Sequence, residues 1–294
     1  MIPPLNYLTK NLIRYIDYFL LVYFRMVLMT ATAYDEFTDD YDRFVNWDSR
    51  LGAEMPFLLS KLEEISTPSG SSFSLLDAAC GTGMHTIALA KKGFESAGAD
   101  VSSGMVHRAI LNAKEAGIPV LFKTAGFTEL GGAFRSTDVF PFDAILCLGN
   151  SLPHLTSSGL IRRALQDFHS CLRENGILIL QNRNYNAVMA RRERWIGPQS
   201  HSSAQGEWLF LRFYDFEPDG MITFNIVRLH REKGGEWEQN VSTVHLYPLM
   251  RDDLVELLKN SGFHDIQFFG KLEDVAFNPS ESENLVVVAR KAGE

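Results

Sequence analysis

Residues 74–100 read SLLDAACGTGMHTIALAKKGFESAGAD: an apolar run, an acid, two glycines and a second acid. Gly81 and Gly83 stand where an apolar run gives way to a helical pattern. Missing side chains there let backbone amides approach a ligand, and a helix N-terminus adds partial positive charge. Asp100 closes the next strand-like run, where a carboxylate can accept two hydrogen bonds from a ribose diol. That geometry suits an adenine nucleoside, although a nicotinamide-binding dehydrogenase would share such a turn. Two details tilt the choice. The third position after Gly83 is Thr86 instead of the third glycine of a dinucleotide fingerprint, and Asp77 sits just before the turn. An acid at that point repels a pyrophosphate and suits a ligand carrying a cationic amine.

These residues need a parallel sheet to hold them. The strand-like runs FSLLDA (73–78), ESAGADV (95–101), PVLFKT (119–124), FDAILCLGN (142–150) and GILILQN (176–182) alternate with helical segments. One of those helices carries Ile161, Leu165, Phe168 and Leu172 on one face and is expected to end at Gly176. Such alternation predicts βαβ crossovers and a doubly wound α/β sheet covered on both faces, with ligands bound beyond the carboxyl ends of its strands. HDIQFFG and NLVVVARK bring the strand signals of that sheet to seven. Before these two, at about 205–248, three successive strand signals separated by EPDG and KGG predict a small antiparallel insertion. Ile222, Phe224 and Ile226 alternate there with Thr223 and Asn225, as in a strand with one wet face.

Composition narrows the partners. The chain has 294 residues, 46% of them apolar, and a net charge of −8, which disfavours a partner held by phosphate neutralisation and so a long nucleic acid. Cys80, Cys147 and Cys171 follow no CxxC spacing, which fits a reducing cytoplasm and gives no metal site. Residues 1–33 are set apart as an N-terminal extension. Its apolar stretch YFLLVYFRMVLM is flanked by Asp17 and broken by Arg25, short of the ~18 uninterrupted apolar residues of a spanning helix. An over-long start before Met29 or a docked amphipathic helix is expected there in preference to a membrane anchor. Residues 34–72, with Tyr34, Tyr41, Phe44 and Trp47, read as a helical lid before a main domain over 73–294.

LLDAACGTG and the acid of GADVSSGM resemble the first motif and the ribose-binding acid of class I S-adenosylmethionine-dependent methyltransferases, over roughly residues 34–290. YDRFVNWDSRL, FDAILCLGNSLPHL and LQNRNYN are similar in order and spacing to segments of the glycine and sarcosine N-methyltransferases. The resemblance implies a Rossmann-like fold, S-adenosylmethionine as cofactor, and a small acceptor, an amine bearing a carboxylate. It implies that Arg50 contacts the methionine carboxylate, that Ala125, Gly126 and Phe127 border the adenine, and that Leu148 lies near the cofactor. Tyr41, Asp77, Ala79, Gly81, Gly83, Asp100, Val101 and Met105 complete the cofactor set, while Asn150 and Arg183 face the acceptor. Gly126 stands where the family usually has an amide or an acid, a departure at the adenine.

Each position also has a plainer explanation. The glycines could form a tight turn without a ligand, and Asp100 could cap a helix. Asn150 could close a turn, Arg183 could pair with a neighbouring carboxylate, and His154 could be hydrogen-bonded at a helix entry. ARRERW (190–195) reads as a solvated helical face. A sulfonium-bound methyl is already activated, so the protein must hold a neutral nucleophile in line and exclude water. Methylation of another small metabolite, at oxygen or carbon, and a non-catalytic cofactor-binding protein stand as the alternatives. A base-modifying enzyme would need a proline-rich acid or asparagine motif where this chain has GNSLPHL.

Overall fold

The computed structural model describes Asp35 and residues 38–65 and 72–292. The extension at 1–33 and Tyr34 lie outside the described residues. The described residues begin with two helices, α1 (Thr38–Phe44) and α2 (Trp47–Glu63). It then alternates β1 (Ser74–Asp77), α3 (Met84–Lys91), β2 (Glu95–Asp100), α4 (Ser103–Ala116), β3 (Leu121–Thr124), α5 (Leu130–Phe134), β4 (Phe142–Cys147), α6 (Ser158–Cys171) and β5 (Leu172–Arg183). After α7 (Tyr185–Arg191) come four strands, β6 (Trp195–Ser202), β7 (Gly206–Phe216), β8 (Ile222–Glu232) and β9 (Glu238–Leu246). Helix α8 (Arg251–Asn260) and strands β10 (Phe263–Lys271), β11 (Glu273–Ala276) and β12 (Asn284–Lys291) complete the described fold.

The main sheet has the order β11-β10-β12-β5-β4-β1-β2-β3. Strands β1 to β5 are parallel, and β12 runs antiparallel to β5 and to β10. These are the seven expected strands, with the short β11 added at one edge. Alternate residues of the central strands serve opposite layers. Leu76, Ile145, Cys147, Leu178 and Leu180 join the core under α5, α6 and α8, whereas Leu75, Ala144, Leu146, Ile177 and Ile179 join the one under α2. Helix α2 contributes Phe57, Leu58 and Leu62 to that core, and Phe57 meets Phe269 edge-to-face at 5.0 Å.

Helix α6 is shorter than its apolar spacing suggests. It ends at Cys171, and Leu172 begins β5, because Leu172 pairs with Phe142 of β4 before Asn175 turns at φ 63°. The antiparallel layer is larger than read: it has four strands and begins at Trp195. ARRERW is therefore split between the end of α7 and the start of β6. Strand β6 is an edge strand, which tolerates its Pro198, and most of its side chains are exposed, so it carries no alternation to read. The inner face of this layer packs Trp208 and Phe210 against Tyr41, and Tyr214 against Tyr185 of α7.

Candidate active site

At the carboxyl end of β1 the chain turns through Ala78 and Gly83 into α3. The turn is pinned by Ala78 N donating to Leu146 O (2.8 Å) and Cys80 N to Ala99 O (2.9 Å). Gly81 has φ +52°, and a Cβ there would meet only the Tyr41 ring, at 3.8 Å, so its backbone faces open space. Its N–H donates to Asp100 Oδ2 (2.9 Å) while Ser102 N donates to Oδ1 (2.9 Å), which fixes the carboxylate at the tip of β2. The cap of α4 is Ser102, not Asp100, since the Ser102 hydroxyl accepts from Met105 N. Burial pushes Asp100 up to about 6, against the opposing pull of the two amides. Burial also raises Asp77, whose carboxylate accepts from Thr86 Oγ1 at 3.0 Å. Two buried carboxylates that repel each other line one cavity, and a bound cation would relieve both. A nucleoside ligand carrying a sulfonium and an ammonium fits that demand.

The cavity is lined by Tyr41, Arg50, Asp77, Ala79, Gly81, Asp100, Val101, Met105, Ala125, Gly126, Phe127 and Leu148. Gly83 is different: it caps α3 at φ +79°, and a Cβ there would lie 2.8 Å from the Phe122 ring and 2.9 Å from Ala109. Its structural effect is steric, admitting α3 and α4 close to the turn. Gly126 N donates to Glu129 Oε2 at 2.9 Å, a carboxylate three residues beyond the departure from the family pattern.

Several lining residues were not singled out as cofactor ligands: Trp47, Cys80, His85, Gly149, Ser151, His154 and Leu155. Arg50 lies within hydrogen-bonding reach of Tyr41 and pairs with Glu54 at 3.2 Å, and these partners raise its pKa against burial. Glu54 in turn meets His85 Nε2 at 2.6 Å, and Trp47 stands edge-on to the His85 ring at 5.6 Å. The i,i+4 spacing of Arg50 and Glu54 on α2 was a legible signal, whereas the His85 partnership bridges two helices and has no local signature. His154 is half-buried, and desolvation pushes it down to about 4, so it is neutral at pH 7.

Asn150 and Arg183 do not line this cavity, though Gly149 and Ser151 beside Asn150 do. Asn150 adopts φ 68°, accepts Arg183 N (2.9 Å) on Oδ1, and donates from Nδ2 to the Tyr185 hydroxyl (3.0 Å). Arg183 pairs through Nη1 with Glu283 at 2.7 Å, while its Nε–H is buried without an acceptor. The guanidinium also lies within hydrogen-bonding reach of Tyr214. Both plainer explanations therefore hold in part, and the buried Nε–H is what they leave over.

A doubly wound sheet with a glycine turn, a strand-end acid and a cavity that calls for a cation defines a class I S-adenosylmethionine-dependent methyltransferase. Comparison with known proteins agrees. A family profile described as a methyltransferase domain matches residues 75–176. Glycine/sarcosine N-methyltransferase of Parasynechococcus marenigrum is 31% identical over 250 residues, covering 83% of this chain and 80% of that protein. The enzyme of the same description from Aphanothece halophytica is 28% identical over 260 residues, covering 87% and 88%. The crystal structure of an S-adenosylmethionine-dependent methyltransferase from Clostridium acetobutylicum shares the fold, with TM-score 0.70 and 18% identity over 88% of this chain and 99% of that one. The chain belongs to the glycine/sarcosine N-methyltransferase family of these enzymes. Among the described residues no helix is long and apolar enough to cross a membrane.

Proposed function

We propose that this enzyme transfers a methyl group from S-adenosylmethionine to the amine of a small amino acid of the glycine or sarcosine type. In this reading Asp100 holds the ribose, and Val101, Met105, Gly126 and Phe127 flank the adenine. Asp77 meets the ammonium of the methionine moiety, Arg50 with Tyr41 meets its carboxylate, and the backbone at Ala79 and Gly81 closes on it beside Leu148. The cofactor, when bound, supplies a methyl group already activated by positive sulfur. The protein's task is to present an amine lone pair in line with that methyl and to keep water out. With the cofactor in place, N–C bond formation would be matched by loss of the C–S bond, its electron pair kept by sulfur, and solvent would take the proton of the methylated ammonium. His154, kept neutral by burial, adds no charge that would repel a sulfonium.

One observation carries the acceptor assignment: the Arg183 Nε–H, buried without an acceptor at the carboxyl end of β5. A guanidinium with an unused donor is suited to a carboxylate, and Asn150, on the Arg183 backbone, sets where that guanidinium begins. The names of the relatives point the same way. A small soluble acceptor also fits a cytoplasmic enzyme whose three cysteines are buried and unpaired. Arg183→Lys keeps the charge and loses the fork. We expect catalytic efficiency on glycine or sarcosine to fall about tenfold or more while cofactor affinity stays within twofold. Full activity in Arg183→Lys would overturn the assignment.

A further inference from the structure

Arg50, Trp47 and His85 line the cofactor cavity, and Glu54 stands behind them. Arg50 Nε donates to both carboxylate oxygens of Glu54, at 3.2 Å each, and Glu54 Oε2 also meets His85 Nε2 at 2.6 Å. Burial works to raise the Glu54 carboxyl, yet the His85 bond and the Arg50 charge hold it below the usual carboxylate range. It is therefore ionised, and the imidazole N–H donates to it. The Arg50 guanidinium lies over the Trp47 ring, 5.2 Å from its centroid, and the indole N–H is itself tied to Asp42 Oδ1 at 3.0 Å.

These contacts decide which part of the guanidinium is offered to the cavity. An arginine can present either its Nε side or the edge formed by its two Nη atoms. Glu54, one turn further along α2, takes up the first. The second points towards Gly149, another cavity residue, where an added Cβ would lie 3.7 Å from Arg50 Nη2. His85 sits at the start of α3, so its bond to Glu54 also ties the helix that carries Arg50 to the glycine turn. On an exposed helix such an i,i+4 pair adds little stability; here it fixes a direction. We propose that Glu54, held by His85, is a positioning residue that aims the Nη edge of Arg50 at the methionine carboxylate of the cofactor, and so makes the site select ligands that carry this carboxylate. This rests on the cofactor reading above, in which Arg50 meets that carboxylate, and adds the groups that set the arginine's direction. A guanidinium pinned beforehand loses less freedom when the ligand arrives, so the carboxylate's share of the affinity depends on Glu54 although Glu54 does not touch it.

Titration calorimetry on the full chain with two ligands tests this: S-adenosylhomocysteine, and methylthioadenosine, which has the same nucleoside and thioether without the amino-acid end. Glu54→Gln should weaken S-adenosylhomocysteine by about tenfold or more and methylthioadenosine by less than about twofold, so the second ligand also reports an intact fold. His85→Ala should act the same way to a smaller degree, and His85→Gln, which keeps a donor near Nε2, should restore most of the preference. Unchanged S-adenosylhomocysteine affinity in Glu54→Gln, or equal weakening of both ligands, overturns the role of Glu54 and leaves the reading of Arg50 intact. Arg50→Gln tests that reading separately: it should abolish the preference for S-adenosylhomocysteine, and a preference kept in this variant overturns the Arg50 contact and the role of Glu54 with it.

Discussion

In the proposed reading, Asp100 is a residue whose ionisation cofactor binding must follow. Its carboxyl is pushed up to about 6 by burial, whereas ribose hydroxyls and a nearby sulfonium favour the ionised form. Below pH 6 the free enzyme must therefore release a proton to bind, and above it need not. The affinity for S-adenosylmethionine should be flat above about pH 6 and fall by up to tenfold per pH unit beneath it. Titration calorimetry across pH 5–8 reads this directly. Asp100→Asn should weaken binding by about 2 to 3 kcal/mol at pH 7.5 and flatten the profile. A wild-type profile level through pH 5 would refute the assignment of Asp100. This residue was legible because its signal is local: an acid at a strand end, a fixed distance from a glycine turn. The engagement of Arg183 by Glu283 and Tyr214 was not, since those partners lie 100 and 31 positions away and meet it only through the fold.

At the scale of elements, the turn from β1 to α3 shows how steric room becomes a binding site. Gly83 has a left-handed backbone and no space for a methyl group against Phe122 and Ala109. Gly83→Ala should cost about 2 to 4 kcal/mol of stability, seen as a lower urea midpoint at unchanged slope. Gly81→Ala has room on the same measure, with only backbone strain against it, and should cost less stability while harming cofactor affinity more. Phe210, buried under the antiparallel layer against Tyr41, tests the other wall: Phe210→Ala should lose about 3 to 5 kcal/mol. Strands β1 and β4 could be read because they are buried along their whole length and appear as short, mostly apolar runs. Strand β6 could not, since an exposed edge leaves no pattern in residue type. The end of α6 misled for the opposite reason: Leu172 continues the apolar period of the helix, yet pairing with β4 decides its conformation.

For the molecule as a whole, the cavity is assembled from α1, α2, the strand ends and the loop after β4, so a ligand bound there joins parts distant in sequence. S-adenosylmethionine at a hundred times its Kd should add about 2.7 kcal/mol to folding, a rise in Tm of several degrees. NAD at the same concentration should give no shift, and a shift with NAD alone would return the dehydrogenase reading. The most direct measurement is to incubate the purified chain with glycine and S-adenosylmethionine bearing a deuterated methyl group and to follow both products by mass spectrometry. The account predicts N-trideuteromethylglycine formed in step with S-adenosylhomocysteine; turnover confined to acceptors without a carboxylate would contradict it.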